Sequence, residues 1–547
     1  MAYLAAYGGP RSERSFSASA EDSLWSPLRQ PVFAGLFIAA MASNIGTWIQ
    51  NVAAAWLMTS IAPNALMVGL VQTLSGLPVF LLIVPAGALA DLVDRRRLLL
   101  FAQSWMFVAA TVLGLLTVKA LVTPWVLLFL TFVLGIGAAL NGPAWQASLP
   151  ELVPRGELPA ATALNGIQFN LARAIGPAVG GVLVATVGAG SAFLLNAASF
   201  LGVVFMLYRW RREPNQSTLP AERLVGAIKA GVRYTRYSPP LVAVLVRAGA
   251  FLIGASAIPA LLPLYARFEL GAGATGYGVL LGFFGAGGVI GGLLVPRVRR
   301  GLSRDQTLSG STIVYAAATI ILAGVKFAWA AYAAMCLGGA AWVIAMTSLN
   351  VAAQLVVPQW VMARALASYQ LVVQGGMALG GLLWGVVASR STVPIALGFA
   401  AASLAIGLAA GLRYRLAESE ALASGPLRLL PLPASASEID ADVGPVMVAV
   451  EYEIDPVTAP AFRVAMNALR TIRFRDGAVF WGLFSDLAKP ERHIEYFMVE
   501  SWSEHVRQHG RGTDEDRPVF ERARSFHVRP SPPVVSHQIA AVVQRTR

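Results

Sequence analysis

Charged side chains are scarce in this chain: they make up 13% of its 547 residues, against roughly 25% in a soluble globular protein. That deficit excludes an ordinary water-soluble fold, whose surface needs more charge than this chain supplies. A single cysteine, Cys336, rules out an internal disulfide and any multi-cysteine metal site; it sits in an apolar run and reads as a packing residue. No Gly-x4-Gly-Lys-Ser/Thr motif is present, so ATP hydrolysis by that route is excluded and no cofactor is implied. Residues 1–30 lack an apolar core followed by a small-residue cleavage site and read as a polar cytoplasmic tail. The apolar runs contain no mid-span Asp or Glu, which argues against a proton relay through a buried carboxylate.

What the chain has in abundance is apolar sequence, 56% of all residues. A helix crossing a hydrocarbon layer of ~30 Å needs about 20 apolar residues. Twelve runs qualify, near 32–58, 66–86, 98–118, 124–147, 162–187, 192–208, 241–265, 275–296, 307–325, 328–353, 364–388 and 393–412. The net charge of +13 is concentrated in loops and tails beside these runs, so it reads as orientation and contact with anionic lipid, not as nucleic-acid binding. Arg95–Arg97, Arg155, Arg297, Arg299, Arg300 and Arg304 fall on one side, which predicts that both termini are cytoplasmic. Residues 31–208 and 241–413 form two six-span bundles joined by a linker, 209–240, in which Glu222–Tyr237 has the spacing of an interfacial helix.

Internal repetition supports that division. Shifting the chain by 200 residues lays Gly176, Ala178, Gly180, Gly181 and Leu183 over Gly376, Ala378, Gly380, Gly381 and Leu383. A second linker, 414–444, is rich in Pro, Ser and Ala. From 445 to 547 the chain looks soluble, with alternating Val446, Val448, Val450, Tyr452 and Ile454 opening a β-α-β-β-α-β order. The predicted fold class is thus an all-α membrane protein of twelve helices in 6+6 pseudo-symmetric halves, with a C-terminal α+β ferredoxin-like domain.

The loop between the second and third spans reads Gly87-Ala-Leu-Ala-Asp91-Leu-Val-Asp94-Arg95-Arg96-Arg97. It resembles the corresponding loop of major facilitator superfamily transporters, Gly-x-Leu-Ala-Asp-Arg-x-Gly-Arg-Arg. Gly87, Leu89, Ala90, Asp91, Arg95 and Arg96 match, while Leu92 and Asp94 depart from the pattern. In the fifth span, Gly176-Pro177-Ala-Val-Gly180-Gly181 resembles the Gly-Pro-x-x-Gly-Gly element of facilitator exporters. The stretch Ser501–His509 resembles the C-terminal extension of the transmembrane secretion effector subfamily, which includes enterobactin-type siderophore exporters. That extension is similar to antibiotic-biosynthesis monooxygenase domains. The resemblance implies a multi-pass inner-membrane exporter of a siderophore, drug or other metabolite, working by alternating access with protons as coupling ion. Gating is implied for Gly87, Asp91, Arg95, Arg96, Gly176, Pro177, Gly180 and Gly181; Asp91, Glu151 and Glu157 are the acids left for coupling.

Polar residues inside apolar spans are expected to turn away from lipid. Those expected to line a central cavity for a small-molecule substrate are Asn44, Gln50, Gln72, Asn141, Asn170, Arg173, Arg247, Asn350, Gln370 and Gln374. Hydrogen bonding between helices is the alternative role for any one of them, at about 0.6 kcal/mol per contact. Arg173 and Arg247 stand well inside their spans and predict an anionic or catechol-like substrate, unless they snorkel to the headgroups. In the C-terminal domain His505 and His509 are one turn apart, but without a third ligand they read as a solvated face rather than a metal pair. Trp481, Trp502, His493 and His537 form no defensible catalytic set, so a regulatory or dimerising module is expected. The rival readings are a membrane-anchored monooxygenase acting through 445–547, and an importer of the same superfamily.

Overall fold

The computed structural model describes residues 24–210, 224–358, 361–416, 443–509, 511–512 and 516–540; the side chains of Asp91, Asn170 and His509 lie outside what is described. Eleven of the described helices are long and apolar enough to cross a membrane. The first bundle holds α1 (Pro31–Ile61), α2 (Ala65–Leu92), α3 (Arg95–Val118), α4 (Pro124–Leu152) and α5 (Leu158–Arg209). At 1.5 Å per residue the 52 residues of α5 would run about 78 Å, more than twice the hydrocarbon thickness. They do not run straight: Gly188 has φ +82°, a left-handed conformation open to glycine, and folds α5 into two crossings. Twelve crossings result, as the sequence predicts. α1 packs on both limbs, through Trp48 at Gly176 and through Asn196 at Gly46.

Between the bundles lies α6 (Leu224–Tyr237). The second bundle follows with α7 (Pro239–Ala255) and α8 (Ala257–Leu264), which form one crossing with a π-helical turn at Tyr265–Glu269. Then come α9 (Ala274–Gly301), α10 (Arg304–Gly324), α11 (Ala328–Leu355), α12 (Met362–Arg390) and α13 (Val393–Arg413). The helix starts have local causes. Asn64 Oδ1 accepts from Leu66 N–H at 2.9 Å, Asp94 Oδ1 from Arg97 N–H at 2.9 Å, and Ser303 with Gln306 forms a capping box. Pro31, Pro124, Pro239 and Pro394 stand at the first or second position of their helices, where a missing N–H costs nothing.

The C-terminal region adds β1 (Val446–Glu453), α14 (Ala459–Asp476), β2 (Phe480–Ser485), β3 (Arg492–Val499), α15 (Trp502–His509), α16 (Arg517–Arg524) and β4 (Val534–Ile539). Its strands pair antiparallel in the order β2-β3-β1-β4, with Val450 opposite Glu495 and Val535. This is the ferredoxin-like arrangement expected from the element order. Asp455 makes a local turn by accepting from Val457 N–H at 2.9 Å, and α14 begins one turn later, at Ala459.

Candidate functional site

The two bundles meet along α5 with α9 and along α2 with α12, and both seams are built from glycine. A Cβ on Gly181 would collide with the Cα of Gly278, and one on Gly69 would lie 2.6 Å from the Gly381 carbonyl oxygen. Thr73 Oγ1 donates across the second seam to the Ala378 carbonyl at 2.9 Å. The repeat found in the sequence thus has a physical basis, since Gly181 and Gly381 hold equivalent inter-bundle contacts.

All these contacts lie toward the end of the bundle that carries Gly188. Toward the arginine-rich end, burial falls away on the same helix faces. On α5 it passes from buried Gly181 and Pro177 through half-buried Arg173 to exposed Gly166 and Thr162. On α12 it passes from buried Gly385, Gly381 and Ala378 through half-buried Gln374 to exposed Gln370. The bundles are therefore zipped at one end and parted at the other.

Arg173 occupies the place where the zip ends. Its guanidinium carbon lies 5.4 Å from the centre of the Trp342 ring on α11, so a cation of the first bundle faces an aromatic of the second. Trp342 is held by Phe251 at 5.9 Å, Tyr315 at 6.0 Å and Phe284 at 6.4 Å between ring centres. Its indole N–H is buried with no acceptor among the described residues. None of the described carboxylates is in ion-pair range of Arg173. Two donors, one of them charged, thus stand together without an acceptor near the middle of the membrane-spanning layer.

The other expected site residues separate into two groups. Gln72, Gln370 and Gln374 lie on the faces between the bundles. Asn44 is half-buried on α1, one turn from the Trp48 that covers Gly176. Gln50, in contrast, accepts from Asn196 Nδ2 at 2.6 Å, and Asn141 Oδ1 accepts from Gln103 Nε2 at 2.9 Å, both within the first bundle. Asn350 is bonded along its own helix to Gln354. Arg247 is 3% exposed and pairs with Asp305 at 3.1 Å and Ser309 at 3.0 Å, so it points along the second bundle toward the arginine-rich end. The side chain of Asn170 is outside the described set. Trp342 carries no functional signal in the sequence, because a tryptophan in an apolar helix reads as core.

At the start of α3, Arg95 donates to Glu151 and to the Ala147 carbonyl, each at 2.7 Å. Arg96 donates to the carbonyls of Leu207 and Tyr208 at 2.8 Å, capping the end of α5. Both arginines therefore brace α3 against α4 and α5 inside the first bundle. Gly87 lies inside α2, and nothing among the described residues is within 4 Å of where its Cβ would sit, so no close contact requires a glycine there.

The C-terminal sheet buries a carboxylate. Glu495 is fully buried; Arg473 binds it at 2.9 and 3.2 Å, and Trp481 Nε1 donates to it at 3.0 Å. Those contacts occupy both oxygens of the carboxylate. The rings of His505 and His537 lie 4.8 Å apart, and among the described residues no group of three metal-ligating side chains occurs. The domain is seated on α6, where Arg233 Nη2 donates to Glu504 at 2.9 Å and Tyr237 stacks on Phe474 at 5.3 Å. On its other side α6 holds the second bundle, with Tyr234 donating to the Val356 carbonyl at 3.0 Å and Thr235 to Ser368 at 3.2 Å.

Comparison with known proteins gives a consistent set of similarities. The family described as transmembrane secretion effector matches residues 22–546. The chain is 26% identical over 298 residues to the staphyloferrin A transporter of Staphylococcus aureus, covering 53% of this chain and 72% of that protein. It is 28% identical over 326 residues to the enterobactin exporter EntS of Escherichia coli (58% and 76% covered). It is 29% identical over 311 residues to the multidrug efflux pump Tap of Mycolicibacterium fortuitum (54% and 74% covered). Among solved structures, a bacterial homologue of the human lysosomal transporter Spinster, inward-facing and unoccupied, superposes with TM-score 0.58 at 13% identity, over 71% of this chain and 98% of that one.

Proposed function

The chain belongs to the transmembrane secretion effector family of major facilitator transporters, and from that premise we propose that it exports a small organic anion of the siderophore type. The observation that carries the reading is the pair Arg173 and Trp342, a cation and an indole donor without an acceptor among the described residues, where the bundles part. A guanidinium half withdrawn from water is costly unless an anion joins it, and a buried indole N–H left unpaired adds to that cost. A phenolate or carboxylate oxygen relieves both, while the aromatic wall behind Trp342 accepts a flat ligand face. The names of the staphyloferrin A and enterobactin relatives support this chemistry.

In this reading the arginine-rich end, with both termini, faces the cytoplasm of a bacterial inner membrane. Substrate enters from there, because the seams at the Gly188 end are closed. Rocking of the two bundles about the Arg173 level then exposes it to the outside. Protons are the proposed counter-ion, with Asp91, Glu151 and Glu157 as the acids near the entry side. The C-terminal domain rides on α6 as a regulatory module.

The test is substrate binding by purified full-length protein. A catecholate or carboxylate chelator should bind, and Arg173→Gln should weaken it roughly 10- to 150-fold, the worth of one hydrogen bond to a charged group at about 1.5–3 kcal/mol. Equal affinity for a neutral analogue, or no loss in Arg173→Gln, contradicts the assignment.

A further inference from the structure

The closed end carries a contact that the glycine seams do not explain. Arg267 belongs to the π-helical turn Tyr265–Glu269 of the second bundle, yet its guanidinium crosses to α1 of the first. Nη1 donates to Ser60 Oγ at 2.7 Å and to Thr59 Oγ1 at 3.0 Å, and the guanidinium carbon lies 5.7 Å from the centre of the Trp56 ring. Trp56 in turn stacks on Tyr277 of α9, 5.9 Å between centres at 19°, beside the Gly181–Gly278 contact. From Arg267 to Tyr277 the order of contact is therefore second bundle, first bundle, second bundle.

The turn that presents Arg267 is fixed to its own bundle. Tyr265 is 1% exposed and donates to the Val325 carbonyl at 2.7 Å, and Glu269 pairs with Lys326 at 3.2 Å. A π-turn is wider than an α-turn and shifts the side chains after it, here swinging Arg267 out over α1. Among the described residues no carboxylate is in ion-pair range of Arg267. Its partners are two hydroxyls and an aromatic face, which bind a guanidinium less tightly than a carboxylate does. Parting the bundles would leave no buried acid behind, and Arg267, at the end of the membrane layer, would pass into water.

We propose that Arg267 is the positioning residue that latches the Gly188 end shut, through Thr59, Ser60 and Trp56, and that its release opens that end in each transport cycle. The inference rests on transport by rocking bundles but not on the substrate assignment.

It can be tested on full-length Cys336→Ala protein carrying spin labels at Lys119→Cys and Arg390→Cys, exposed sites at the Gly188 end of each bundle. The parent should show one distance population. Arg267→Ala should add a second, longer one, and Arg267→Lys should fall between. The pair Thr59→Val with Ser60→Ala removes the acceptors and keeps the arginine, so it should reproduce the Arg267→Ala distribution; it decides the matter if Arg267→Ala does not fold. Parent-like distributions in the folded variants overturn the latch. Substrate affinity on the same samples reports on Arg173 separately, so either proposal can fail while the other stands.

Discussion

The guanidinium of Arg173, carried by the first bundle, faces the ring of Trp342 on the second, 5.4 Å from its centre. The pair sits where the two seams release, so any movement that parts or closes the bundles must alter it. A ligand bound there is held by both bundles at once, which is what coupling of binding to rocking requires.

The first prediction follows from that geometry. Arg173→Lys keeps the charge and loses the planar fork, so it should bind an anionic chelator more weakly than the parent and more tightly than Arg173→Gln. Trp342→Phe keeps the ring and removes the N–H donor, and should weaken binding about tenfold. Titration calorimetry on the four proteins checks the ranking.

A second prediction separates the two arginines that sequence alone leaves equivalent. Arg247 is buried against Asp305 inside one bundle, so Arg247→Gln should lower the melting temperature and leave chelator affinity unchanged. Removing one partner of a buried pair costs about 3–5 kcal/mol, with the lower end expected here because Asp305 is 28% exposed. Thermal unfolding and binding on one preparation read both effects.

The third concerns the closed seam. A Cβ at Gly181 would meet the Gly278 backbone, so Gly181→Ala must wedge α5 from α9. Overpacking of this kind costs about 1–3 kcal/mol, enough to move the open population roughly 5- to 150-fold. Gly202→Ala is the control, since its new Cβ would meet only Ala39 at 3.9 Å. Distance measurements between labels on the two bundles, and efflux rates, should change for the first variant and not for the second.

The fourth is a pH dependence. Burial penalises the Glu504 carboxylate, but hydrogen bonds and fields from Arg511 and Arg233 outweigh it and hold the group below the usual glutamate range. A depressed acid contributes stability above its unfolded value, about 4.3, and loses it as pH falls through the folded one. Seating of the domain on α6 should therefore be constant from pH 8 to pH 5 and fail only in stronger acid. Hydrogen exchange of residues 231–237 measures it, and Glu504→Gln should raise that exchange already at pH 7.

Much of this fold is legible from sequence because the bilayer imposes it. The length of each apolar run, the arginine side and the Gly176/Gly376 repeat all act over whole helices, so they survive without tertiary information. What is not legible depends on rotation about a helix axis. Gln50 and Gln72 look alike as polar residues in apolar runs, yet one bonds Asn196 within its bundle and the other borders the seam. Trp342, Trp56 and Tyr277 read as core or interfacial aromatics until their partners across the boundary are known. Arg95 and Arg96 match a family pattern, but only coordinates show that both contacts stay within the first bundle.

Transport by the purified chain is the most direct test. Full-length protein reconstituted in liposomes with a proton gradient should move a radiolabelled catecholate or carboxylate chelator across the membrane. Arg173→Gln, at equal incorporation, should slow that movement at least tenfold. Flux that is absent in the folded parent, or unchanged in Arg173→Gln, would contradict the account.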